Sequence, residues 1–85
     1  MTPATFDRTL ESLISRRPFR AFTVELQGGE RFEIDHPGST AWRDGHAVFL
    51  AGTGVKPFFR NFDHAGVVQF IDEPASDEPA IVNRG

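Results

Sequence analysis

Eighty-five residues make one small domain, because a chain of this size buries only about 60% of the surface its unfolded form exposes; a two-domain enzyme with its site in a cleft is excluded. With 39% hydrophobic and 25% charged residues the composition is that of a globular protein, and nine basic against twelve acidic side chains give a net charge of −3, which argues against a generic polyanion binder. The absence of cysteine excludes disulfides, thiolate metal sites and thiol nucleophiles, and the aromatic share is nine Phe and one Trp with no Tyr.

The N-terminal stretch Met1-Thr2-Pro3-Ala4-Thr5-Phe6-Asp7 lacks the basic and apolar regions of a signal peptide. No apolar run approaches the roughly 20 residues that span a bilayer. A cytoplasmic protein with no membrane partner is the expectation. Next, Phe6, Leu10, Leu13 and Ile14 fall on one stripe at 3.6 residues per turn and predict a helix over about residues 3–17. Thr2 and Pro3 suit its start, and Pro18 stops it because proline disfavours helical geometry in the residue before it. Asp7 and Glu11 early with Arg16 and Arg17 late match the helix dipole.

The period then becomes 2. Phe22-Thr23-Val24-Glu25-Leu26 and Arg31-Phe32-Glu33-Ile34-Asp35 alternate around Gly28-Gly29, which predicts a hairpin closed by a primed turn. Its inward residues are expected to be Phe22, Val24, Leu26, Phe32 and Ile34. His36-Pro37-Gly38-Ser39 breaks the second strand. A short piece, Thr40–Arg43, leads through the turn dipeptide Asp44-Gly45 into the strand Ala47–Ala51, whose continuous apolar run suggests partial burial on both faces. Residues 52–57 read as loop, Phe58–Phe62 as strand, Asp63–Gly66 as a turn and Val67–Ile71 as the last strand. From Asp72 on, the chain is acidic and Pro-containing, and residues 72–85 are expected to form a flexible tail. Residues 1–71 hold eight basic and eight acidic side chains, so this tail carries the whole net charge.

One helix and five to six short strands, with no second helix for a parallel crossover, predict a mainly β (α+β) domain. The expected form is a small antiparallel barrel, SH3-like or Sm-like, or a strongly curved sheet, with the helix across one opening. The run Arg17-Pro18-Phe19-Arg20-Ala21-Phe22, the hairpin through Gly29 to Phe32-Glu33-Ile34, and His36-Pro37 resemble a family of small uncharacterised bacterial proteins. That family shows a helix, an Arg-Pro-Phe-Arg-Pro-Phe strand, a Gly-turn hairpin and a His-Pro. Here Ala21 replaces the second proline, Gly28 the acidic or amide turn residue, and Gly38 follows the His-Pro. The resemblance implies the topology and brings no activity.

Function is sought in three places. Phe49, Phe58, Phe59 and Phe62 exceed what one small barrel interior holds, with Phe58 and Phe62 on one face of their strand and Phe59 on the other, and Phe49, Phe58, Phe59 and Trp42 are the residues expected to face a partner. This predicts a protein-facing surface on a non-catalytic interaction or assembly module that associates with itself. The alternative is an Sm-like protein binding RNA or other single-stranded nucleic acid through Arg16, Arg17, Arg20 and Arg43 beside Trp42. A small enzyme or metal-binding protein comes third. Asp35-His36, Asp44-Gly45-His46 and Asp63-His64 lack a metal-ligand spacing, Ser39 lacks a nucleophile elbow that would bring it to His64 and Asp35 or Asp63, and Gly52-Thr53-Gly54-Val55-Lys56 lacks the spacing of a phosphate loop. No cofactor is expected.

Overall fold

The computed structural model describes residues 1–51 and 57–73. Helix α1 (Pro3–Ser15) is followed by strands β1 (Phe22–Leu26), β2 (Arg31–Ile34), β3 (Thr40–Arg43), β4 (His46–Ala51), β5 (Phe58–Asp63) and β6 (Val67–Ile71). The chain is mainly β, and its strands form two antiparallel three-stranded sheets, ordered β2-β1-β6 and β3-β4-β5.

The start of α1 is as expected: the Thr2 side chain accepts from the Thr5 N–H at 3.1 Å, and Pro3 occupies the first turn. Its end is two residues shorter than expected, and neither its first turn holds an acid nor its last turn a base. The dipole expectation is corrected accordingly. Arg17 acts from outside the helix instead, its Nη1 donating to the carbonyls of Ile14 at 3.3 Å and Arg16 at 2.9 Å, which satisfies an end that has no further turn to do so.

The two hairpin turns exchange the expected roles. At Gln27-Gly28-Gly29, the Leu26 N–H meets the Glu30 carbonyl at 2.8 Å and the Gly29 N–H meets the Leu26 carbonyl at 3.0 Å. Gly28 sits at the third turn position with φ +94° while Gln27 keeps a negative φ, the type II pattern rather than a primed one. The primed turn is at Asp44-Gly45, where φ is +52° and +84° and Arg43 pairs with His46; both central residues positive is type I′.

The core is built across the sheets. Phe22, Val24 and Ile34 from the first sheet are buried with Ala47, Phe49 and Phe62 from the second, and Leu26 and Phe32 are half-buried against them. Phe32 stacks on Phe49 (centroids 5.7 Å apart) and meets Phe62 edge-on at 5.3 Å. Helix α1 contributes Phe6, Leu10 and Ile14. The Phe6 ring lies 5.7 Å from Phe62 and 5.8 Å from Phe70, one residue on each sheet, so the helix covers the place where the sheets part. Each such buried side chain stabilises the fold by about 1.5–3 kcal/mol relative to an exposed one. No helix among the described residues is long and apolar enough to cross a membrane.

Candidate interaction surface

Strand β4 lies between β3 and β5 and fixes which way each neighbour points. The Leu50 N–H donates to the Ser39 carbonyl and the His64 N–H to the Gly45 carbonyl, both at 2.8 Å. Bonded and non-bonded pairs alternate along an antiparallel ladder. Ala47, Phe49 and Ala51 therefore bond with Phe62, Arg60 and Phe58, their register partners on β5. The N–H and C=O groups of Phe59, Asn61 and Asp63 point the other way, to an edge along which no described strand is paired. Asn61, Phe62 and Asp63 also border a concavity of about 450 Å³ together with His46 and Ala47 of β4 and with Leu26, Gln27 and Gly66.

Two consecutive Phe mark the start of this strand: Phe58 is 56% and Phe59 72% exposed. Phe59 stands opposite Leu50, itself an exposed large apolar residue. With Ala41 and Val48 they line a shallow depression on the outer face of the second sheet.

Of the residues predicted to face a partner, Phe59 lies on this outer face, Phe58 is exposed on the other face of the strand, and Phe49 is buried. Phe49 is 5% exposed and stacked on Phe32, a core residue, because its register position turns it inward with Ala47. The expectation that it faces a partner is corrected; the expected partial burial of that strand on both faces is met at Val48 and not at Leu50, which is open. Trp42 is half-buried against the core.

The basic cluster is joined by an acid that was assigned to the tail. Asp72 bridges Arg16 Nη2 at 2.7 Å and Arg20 Nη2 at 3.1 Å, and Arg16 also donates to the Arg20 carbonyl. The hydrogen bond from Arg16, with the charge of both guanidiniums, holds the Asp72 carboxyl below its ordinary range. Close by, the buried Thr23 hydroxyl donates to the Glu73 carbonyl at 2.7 Å. Arg43 sits apart on the β3–β4 hairpin in an exposed pair with Asp44. Arg60 was missed by sequence reasoning. Its guanidinium lies 4.6 Å over the Phe32 ring and pairs with Glu30, tying β5 to β2; its one signal was a charge at an inward position of an apolar strand.

Two of the three histidines converge. The His46 and His64 rings are 6.1 Å apart, whereas His36 Nδ1 accepts from the Gly38 N–H. His64 Nδ1 donates to the Met1 carbonyl at 2.9 Å. Ser39 gives its hydroxyl proton to the His36 carbonyl rather than to an imidazole. Among the described residues no group of three or more His, Cys, Asp or Glu is placed to hold a metal. The sequence Gly52–Lys56 and residues 74–85 of the expected tail lie outside the described residues.

No family model, curated protein or solved structure matches the chain. What the geometry offers chemically, among the described residues, is the main-chain N–H and C=O groups of Phe59 and Asn61 beside exposed Phe58 and Phe59, the Asp63 carbonyl being taken by the Gly66 N–H at 3.1 Å. An extended chain recognises such an edge through main-chain bonds and reads its side chains on alternate positions.

Proposed function

We propose that this protein is a non-catalytic assembly module that binds protein chains through β5, its own copies among them. The observation that carries the reading is Phe58 and Phe59 exposed together on a strand along whose second edge no described strand is paired. Natural edge strands are normally blunted by charge, proline or cover, and an apolar pair left on one is the signature of a partner. In this reading the two sheets are the walls of a small barrel of the SH3-like or Sm-like kind. Its support is the turn 63–66, which bonds to the second sheet through His64 and Gly45 and to the first through Gly66 and Gln27. The module works in the cytoplasm, and its likeness to the small bacterial family of the Arg-Pro-Phe-Arg strand belongs to the same proposal. The nucleic-acid alternative is less well supported, since Arg16 and Arg20 already hold Asp72 and Arg31, Arg43 and Arg60 are paired with Glu25, Asp44 and Glu30, which leaves few cations among the described residues to neutralise phosphates.

Size-exclusion chromatography with light scattering tests the proposal. The unmodified protein at high micromolar concentration is expected to run as a dimer or larger. Phe59→Ser is expected to run as a monomer with its melting temperature unchanged, since Phe59 is 72% exposed. A monomer throughout overturns the self-associating form.

A further inference from the structure

The concavity at the end of β5 has an imbalance in its hydrogen-bonding groups. Its volume of about 450 Å³ is in the range of small-ligand sites. Leu26, Ala47 and Phe62 supply the apolar part of its lining, and all three belong to the core or pack against it. Gln27, Asn61 and Asp63, with His46, supply the polar part.

Most of what this polar part leaves unspent accepts hydrogen bonds. The half-buried Asp63 commits Oδ1 to the N–H groups of Ala65 at 3.1 Å and Gly66 at 2.8 Å. Its Oδ2 has no partner among the described residues. Gln27 commits its amide nitrogen to the Ala65 carbonyl at 3.1 Å, which leaves the side-chain oxygen, a pure acceptor. Asn61 adds a carboxamide that can accept or donate. Among the described residues the lining holds a carboxylate and no Lys or Arg, so it disfavours an anion. A cation that is rich in donors and has no acceptor complements it. Guanidinium is that group, with five N–H donors in one plane, and the methylenes of an arginine side chain suit the apolar part of the lining.

The place on the strand fits a partner chain. Asn61 and Asp63 share a face of β5 with the exposed Phe59, and the four residues from Phe59 to Asp63 span about 13 Å, within one short extended segment. We infer that the concavity receives an arginine side chain of the partner, with Asp63 Oδ2 as its counter-ion. The inference rests on the binding-module reading above and names the chemistry of the partner: an apolar residue that meets Phe59, and an arginine that meets Asp63.

The test uses the full chain and two probes, Nα-acetyl-arginine N-methylamide and its citrulline equivalent, which keeps the shape and carries no charge. Amide chemical shifts of Gln27, Asn61, Asp63 and Gly66 read binding. The arginine probe is expected to move them, and the citrulline probe to bind at least about tenfold more weakly. Asp63→Asn keeps an oxygen for the Ala65 and Gly66 N–H groups and loses the charge. It is expected to melt close to the unmodified protein and to lose the preference for arginine. Equal binding of both probes, or an arginine titration that leaves these four amides unmoved, overturns the inference. If Asp63→Asn does not fold, the two probes on the unmodified protein decide. Light scattering reads self-association separately. A dimer that ignores the arginine probe overturns this site and leaves the module standing, whereas a monomer that binds it overturns self-association and leaves the site.

Discussion

Gly45 is where three stretches of chain crowd one atom. A Cβ built there meets Pro3 Cβ and His64 Cδ2, each at 2.8 Å, and φ is +84°. The Gly45 N–H is also held by Asp7 Oδ1 at 2.9 Å. Gly45→Ala is expected to destabilise the fold by about 1–3 kcal/mol through backbone strain and to loosen the attachment of residues 1–3; chemical denaturation measures the first and amide exchange at Asp7 and His64 the second. Much of this was hidden in the sequence. Asp44-Gly45 was legible as a turn, because the need for positive φ is local. The crowding by Pro3 and His64 was not, since neither residue is near Gly45 along the chain. The misassigned primed turn has a similar cause: Gly28-Gly29 announces positive φ without saying whether Gln27 belongs to the turn.

The helix shows what periodicity reveals and what it omits. Its stripe of Phe6, Leu10 and Ile14 was readable because one face of a helix repeats in a fixed way. That Phe6 would touch both Phe62 and Phe70 was not readable, because which sheets the stripe meets depends on long-range pairing. Truncating Phe6→Ala leaves a cavity at that junction and is expected to lower stability by about 3–5 kcal/mol, enough to unfold much of a small domain whose margin is about 5–15 kcal/mol. Far-ultraviolet circular dichroism during urea titration reads the change. On the strands, alternation in β1 and β2 put Phe22, Val24 and Ile34 on the buried face, although Thr23 on the other face of β1 is buried as well. In β4 the run Ala47-Val48-Phe49-Leu50-Ala51 has no polar marker, so Phe49 and Leu50 could not be sorted into core and surface until the pairings with β3 and β5 were known.

For the whole molecule, the charge partition read from the sequence places an electroneutral body beside an acidic extension, and Asp72 joins the two. Its carboxyl titrates below the ordinary 3.8 in the folded protein because Arg16 and Arg20 hold the charged form. A folded value under the unfolded one means that this stabilisation is present above the unfolded value and is lost as pH falls through the folded value. Asp72→Asn is therefore expected to melt below the unmodified protein at neutral pH, with the gap narrowing as the solution is made acid enough to protonate the Asp72 carboxyl; thermal melts at neutral and strongly acid pH check it. The pair is part-exposed, so added salt narrows the gap as well. Asp72 has a mechanical consequence too. A pull applied at Asp72 and Glu73 is taken up by Arg16, Arg20 and Thr23 at the junction of α1 and β1. A chain cut after Ile71 keeps all six strands yet passes the same pull straight to the terminal Thr23–Ile71 pair, so that β6 peels from β1 from its end.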